Sequence, residues 1–132
     1  MKAAQLTRAF ISFDYDHDRD LKTLLVGQAR NDKSPFVFAD WSIKAETKSW
    51  KADARARIRR SQLLLVICGL HTNMADGVTE EVRIAKEEKI PIYLLRGRTN
   101  GWVRRPKGTS WFWDELHPWK WEKLRAIVTE TR

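Results

Sequence analysis

S-Q-L-L-L-V-I-C-G-L-H-T-N-M-A-D-G-V-T-E-E-V-R-I-A-K-E-E-K-I-P-I-Y-L-L, residues 61 to 95, holds two uncharged apolar runs with a helical segment between them. Leu63 to Cys68 is closed by Gly69, and Ile90 to Leu95 carries Pro91 near its start. Each run is too short to cross a bilayer and reads as a strand covered on both faces. Strand, helix, strand within about 35 residues is a right-handed parallel crossover unit.

Asp76 is the expected N-cap of the intervening helix, with Gly77 and Val78 opening its first turn. On a helical wheel with Val78 at zero, Val82 falls near about 40°, Ala85 near about 340° and Ile84 near about 240°. Glu81 lies at about 300°, inside that apolar arc, whereas Glu80 lies at about 200°, beside Glu87. Glu80 is thus a solvent charge and Glu81 is aimed at the sheet. Open α/β sheets bind ligands beyond the carboxyl ends of their strands, where this helix begins, and an inward carboxylate there is a candidate nucleophile or cation stabiliser.

Working outward, Ala9 to Phe13 is a first strand, followed at once by Asp14, Asp16 and Asp18. Asp18 suits the cap of a helix in which Leu21, Leu24, Leu25 and Ala29 keep helical spacing, and residues 31 to 35 form a turn. Phe36 to Ala39 is a second strand ending at Asp40, Trp41 and Ser42. A loop to Lys48 leads to a helix capped by Thr47 or Ser49, with Trp50, Ala54 and Ile58 on one face. Beyond Leu95 the pattern loosens through turns at residues 96 to 101 and 106 to 108. Trp111 to Trp113 reads as a short edge strand, and Pro118 opens a terminal helix with Trp121, Leu124, Ile127 and Val128 on its apolar face. This order predicts a single α/β domain over residues 1 to 132, flavodoxin-like, with a doubly wound, mainly parallel sheet and helices on both faces.

Composition narrows the function. Hydrophobic content of 42% and charged content of 32% are those of a soluble globular chain. No segment has transmembrane length, and Met1 to Ala9 is too short and polar for a signal peptide. The single Cys68 fits a reducing cytoplasm, and as the end of a buried strand it reads as core. His17, His71 and His117 have no metal-type spacing, so no metal is expected. A net charge of +8 favours polyanions and phosphate-bearing small molecules. Nucleic acid is disfavoured, because Trp111, Trp113 and Trp121 sit at structural positions.

Several chemistries of this architecture are excluded. Cys68-Gly69-Leu70 stands where a receiver domain needs its phosphoacceptor aspartate, and no P-loop, dinucleotide fingerprint or G-x-S-x-G elbow occurs. What gathers at the expected edge is Phe13-Asp14-Tyr15-Asp16, Asp40-Trp41-Ser42, Gly69-Leu70-His71-Thr72 and Glu81, with Arg96 behind. Aromatic surface, hydroxyls and a buried carboxylate suit cleavage of an N-glycosidic bond, whose oxocarbenium-like transition state a carboxylate stabilises.

The segments A-F-I-S-F-D-Y-D-H-D, F-A-D-W-S-I, W-K-A-D-A-R-A-R-I, L-L-V-I-C-G-L-H-T and G-V-T-E-E-V-R-I-A-K-E-E-K-I-P-I resemble the TIR-like proteins of bacterial Thoeris anti-phage defence. The resemblance covers residues 7 to 96, leaving residues 97 to 132 as a Trp-rich C-terminal segment. It places the catalytic glutamate of a W-V-x-x-E-[IV]-x-x-A pattern on Glu81, with Gly77 where the family often has tryptophan. It implies NAD as substrate rather than as cofactor, with release of nicotinamide and formation of an ADP-ribose-derived, cyclic or transferred signal. Phe13 and Asp14 would flank the nicotinamide ribose, with Asp40 and Ser42 nearby. The same resemblance implies self-association and a downstream nucleotide-sensing effector.

Two other functions fit parts of the sequence. Nucleoside deoxyribosyltransferases share the fold class and a D-x-G-T-x-x-E segment, against which Asp76 to Glu81 is shifted by one residue. A non-catalytic TIR-like module acting by protein interaction is the other. Trp50 reads as helix–sheet packing, Thr72 as a turn residue, and His71 and Arg96 as solvated.

Overall fold

The strand expected at the centre is there and is buried throughout: Leu63–Cys68 forms β3, with all six residues out of solvent. A computed structural model describes residues 7–31, 34, 36–42, 49–99, 101–110 and 112–131; the side chains of residues 36, 38–41 and 128–131 lie outside that description. Around β3 stand β1 (Thr7–Ser12), β2 (Phe36–Trp41), β4 (Ile92–Arg96) and the two-residue β5 (Leu116–His117). All pairings are parallel, in the order β2-β1-β3-β4-β5. The helices are α1 (Arg19–Ala29), α2 (Trp50–Arg59), α3 (Asp76–Glu87) and α4 (Trp121–Thr131). This is the doubly wound, flavodoxin-like arrangement that the order of elements predicts.

Alternation along the strands divides the core in two. Leu63, Leu65 and Ile67 face Leu21 and Leu25 of α1 and Leu124 and Ile127 of α4. Leu64, Val66 and Cys68 face Ala54 and Ile58 of α2 and Val78, Val82 and Ala85 of α3. A strand covered on both sides has no position for a polar residue, which is why its sequence is an unbroken apolar run. Trp50 packs against the second layer, as the sequence suggests. The Cys68 thiol is pushed up to about 12 by burial, so it is core and not nucleophile.

The chain reverses direction across the sheet at β1. β2 lies on one side of it and β3 on the other, so the crevice beyond the carboxyl ends of β1 and β3 is the topological switch point. The pairing of β1 with β2 slips by one residue between Ala9 and Phe10, which brings Asp40 opposite Phe10 and Trp41 opposite Ile11.

Several local expectations are corrected. Ala75, not Asp76, is the N-cap of α3, and Asp76 is its first residue. Asp18 and Ser49 do occupy N-cap positions, yet neither makes a side-chain cap bond. Asp18 is instead 1% exposed, with Oδ1 accepting from Arg98 Nη2 at 3.1 Å. The terminal helix begins at Trp121, because the Lys120 N–H donates to Pro118 O in a turn ahead of it. Phe112 and Trp113 form a turn, and the edge strand is Leu116–His117; Trp111 lies outside the described residues, as does the loop at residues 43–48. Lys89 ends α3 in the left-handed region at φ 59°, and the Ile90 N–H returns to Ala85 O.

Two glycines with opposite surroundings test this packing. A Cβ on Gly69 would collide with the Asp18 carboxylate, whereas one on Gly27, inside α1, would meet nothing. Chemical denaturation of Gly69→Ala is expected to show a loss of about 1–3 kcal/mol. Gly27→Ala is expected to gain about 0.5–1 kcal/mol. Equal shifts for the two would contradict the packing described.

Candidate active site

The slip in the β1–β2 pairing builds the site. Regular pairing would set Ser42 opposite Phe13; the one-residue shift sets it beside Ser12 instead, with the Ser42 N–H donating to Ile11 O at 2.8 Å. Such irregularities recur next to functional sites, where they re-aim side chains. Here both hydroxyls turn toward α3. Ser12 Oγ donates to Glu81 Oε1 at 2.7 Å, and Ser42 Oγ donates to the same oxygen at 2.5 Å. Ser42 Oγ also accepts the Phe13 N–H at 3.1 Å, which fixes its rotamer.

Glu81 is 2% exposed, as its place on the helical wheel requires, in a layer with Val78, Val82 and Ala85. Glu80, one residue earlier, turns outward and pairs with Arg83 Nη2 at 2.5 Å and Lys51 Nζ at 3.7 Å. The contrast has a physical cause: Arg83 spans Glu80 and Glu87 along the outer face of α3, while the apolar face fixes the inward side. Burial pushes the Glu81 carboxyl from the ordinary 4.5 up to about 7, against the lowering effect of the Ser42 and Ser12 hydrogen bonds.

Glu81 lines a cavity of about 370 Å³ at the switch point. That lies within the range of small-molecule sites, about 300–1,000 Å³. Its lining comes from residues 13–17 after β1, from Ser42, and from His71 with residues 74–78 after β3, the two loops meeting where the His17 and His71 rings stack. A Cβ on Gly77 would meet nothing within 4 Å, so glycine here leaves the cavity wider than a side chain would.

The expected site residues divide as follows. Phe13, Asp14, Ser42 and Glu81 come together on this cavity. Phe13 is also core, 2% exposed and stacked on Tyr15 with ring centroids 6.1 Å apart. Asp40 is placed in β2 opposite Phe10, and its side chain lies outside the described part of the structure. Thr72 is a turn residue, its Oγ1 accepting the Gly69 N–H at 2.7 Å. Arg96 does not line the cavity; its Nη1 donates to Arg98 O. His71 is exposed but not isolated, since its ring stacks on His17 with centroids 4.1 Å apart. Ser12 and His17 carry site contacts that residue-by-residue reading misses. The signal for Ser12 was its phase, for it follows Phe10 on the strand face that packs against α2 and α3. Among the described residues no group of three His, Cys, Asp or Glu is placed to hold a metal ion.

Fold and site together define a flavodoxin-like α/β protein with a buried, near-neutral carboxyl group at its topological switch point. The family model described as Thoeris protein ThsB, TIR-like domain, matches residues 10–100. The chain therefore belongs to the Thoeris TIR-like family, and its role is a TIR-like one in anti-phage defence. No individual curated protein matches it significantly. No helix among the described residues is long and apolar enough to cross a membrane.

The raised Glu81 pKa predicts a pH signature. Between about 4.5 and about 7 the folded chain holds the Glu81 proton that the unfolded chain has lost, so stability falls as pH rises through that window. The contribution lost is roughly 3 kcal/mol by pH 8. Glu81→Gln keeps an acceptor for both serines and cannot ionise. Its stability relative to wild type, measured by urea denaturation, is expected to increase from pH 5 to pH 8; a difference independent of pH would contradict the burial.

Proposed function

We propose that the protein consumes NAD, cleaving its nicotinamide N-glycosidic bond and converting the ADP-ribosyl remainder into a cyclic or transferred signal. The observation that carries this reading is the placement of Glu81: buried, lining the cavity, and held by two hydroxyls on one oxygen. Both described hydrogen bonds fall on Oε1, which leaves Oε2 as the oxygen to face a developing cation.

The chemistry suits one carboxyl. Nicotinamide in NAD already bears positive charge and departs neutral, so no general acid is required. As the glycosidic bond lengthens, charge moves to the ribosyl C1′, and an anion there lowers the barrier. A carboxyl poised near neutrality accepts this task without a permanently buried charge, because the substrate's own cation draws the proton off when it enters. Phe13 and Asp14 flank the nicotinamide ribose in this reading, with Ser42 nearby; the part given to Asp40 rests on the sequence resemblance. NAD is substrate here and no resident cofactor takes part. Self-association and a nucleotide-sensing effector belong to the same reading; Trp102 and Trp113, each 84% exposed, give apolar surface for contact between copies. The basic cluster on α2 gives little support to a nucleic-acid partner, since Arg55 and Arg59 are taken up by Glu87 at the end of α3 and Glu88 just after it.

Mass spectrometry of nucleotides from cells overproducing wild type, Glu81→Gln and Glu80→Gln separates the outcomes. Wild type and Glu80→Gln are expected to deplete NAD and accumulate nicotinamide, and Glu81→Gln to lower that turnover by at least about 100-fold. Undiminished turnover in Glu81→Gln would remove the assignment.

A further inference from the structure

The cavity holds a second titratable pair, Asp14 and His17, to which the cleavage step assigns no proton transfer. Asp14 is 6% exposed; its Oδ1 accepts the Asp16 N–H at 3.1 Å and its Oδ2 lies 2.6 Å from His17 Nδ1. When Nδ1 donates to that carboxylate, Nε2 is the ring nitrogen that carries the lone pair. His71 stacks on the ring, and Arg98 Nη2 holds the backbone that carries it by donating to the His17 carbonyl at 3.1 Å. Both imidazoles line the cavity that Glu81 lines.

Cleavage leaves a cation at C1′ that a nucleophile must capture, and a hydroxyl nucleophile must shed a proton as it does so. Glu81 is poorly suited to take it, since Oε1 is occupied by two hydroxyls and its charge is needed opposite C1′. We infer that His17, oriented by Asp14, is the base that accepts the proton of an incoming hydroxyl, and so governs conversion of the ribosyl cation to product. This rests on the NAD-cleaving reading of the same cavity.

The steps balance. The C1′–N bond breaks with its electron pair going to nicotinamide, which leaves neutral. An oxygen lone pair of water or of a ribose hydroxyl forms the C1′–O bond, the O–H proton passes to His17 Nε2, and solvent takes it from there. The His17 side chain, 52% exposed, has an open route for that last transfer. Among the described residues the titratable side chains that line the cavity with His17 are Asp14, Tyr15, Asp16, His71, Asp76 and Glu81, and Arg98, paired with Asp18 and Asp20, stands at the His17 carbonyl. Asp14 is a positioning residue in this scheme, acting through the imidazole.

The test incubates the full chain with NAD and isotopically labelled nicotinamide. Exchange of label into NAD reports cleavage and its reversal, in which no hydroxyl is deprotonated; ADP-ribosyl product reports capture. In His17→Asn the ratio of product to exchanged NAD is expected to fall by about 100-fold, the usual worth of a general base. Added imidazole is expected to restore product formation in His17→Gly, and Asp14→Asn to lower the same ratio without abolishing rescue. A ratio unchanged in His17→Asn, or no response of His17→Gly to imidazole, would overturn the role of His17. A wild-type protein that neither exchanges nor releases nicotinamide would overturn the NAD-cleaving reading itself.

Discussion

A carboxyl group removed from water must be paired, hydrogen-bonded or protonated, and Glu81 takes the second and third courses together. Two hydroxyl donors each return about 1.5–3 kcal/mol when the acceptor is charged. Desolvating a single ion costs several kcal/mol, and among the described residues no cation stands beside this one to offset it. Desolvation wins by a small margin, which is why the acidity settles near neutrality. A group balanced in this way changes charge with small changes in its surroundings, including the arrival of a cationic ring.

The rest of the fold keeps that balance in place. Ser12 is fixed by β1, whose neighbours on both sides are strands, and Ser42 by the slip that carries the end of β2 one residue along. The rotation of α3 is set from both faces. Val78, Val82 and Ala85 hold the inner side, while Arg55 and Arg59 of α2 grip Glu87 and Glu88 on the outer side. Such surface pairs contribute little individually, but several converging on one helix restrict its turning. A rotation of α3 that carried Glu81 off this inner side would take from the two serines the acceptor they share.

What was legible in the sequence followed period. The apolar runs at residues 63–68 and 90–95 and the wheel of residues 78–85 gave the sheet, the crossover and the inward glutamate, because burial on both sides of a strand and on one side of a helix leaves few alternatives. Capping was less legible: Asp18 has the composition of a cap, but the chain uses it against Arg98 and Gly69, contacts separated from it by dozens of residues. The partnership of Ser12 with Ser42 depends on a register slip that no local pattern encodes. Likewise, His17 and His71 meet only because the loops after β1 and β3 end at the same edge. The short strand Leu116–His117 carries too few residues for any periodicity.

The central claim is that Glu81 is a buried acid with a near-neutral midpoint. Carbon-13 NMR of protein labelled at the glutamate side-chain carboxyl carbon, with the Glu81 resonance assigned by its absence from Glu81→Gln, measures this directly. A titration centred at about 7 is predicted. A midpoint at the ordinary value of 4.5 would contradict it, and would mean that the carboxyl is solvated and that the cavity beside it is not the site described.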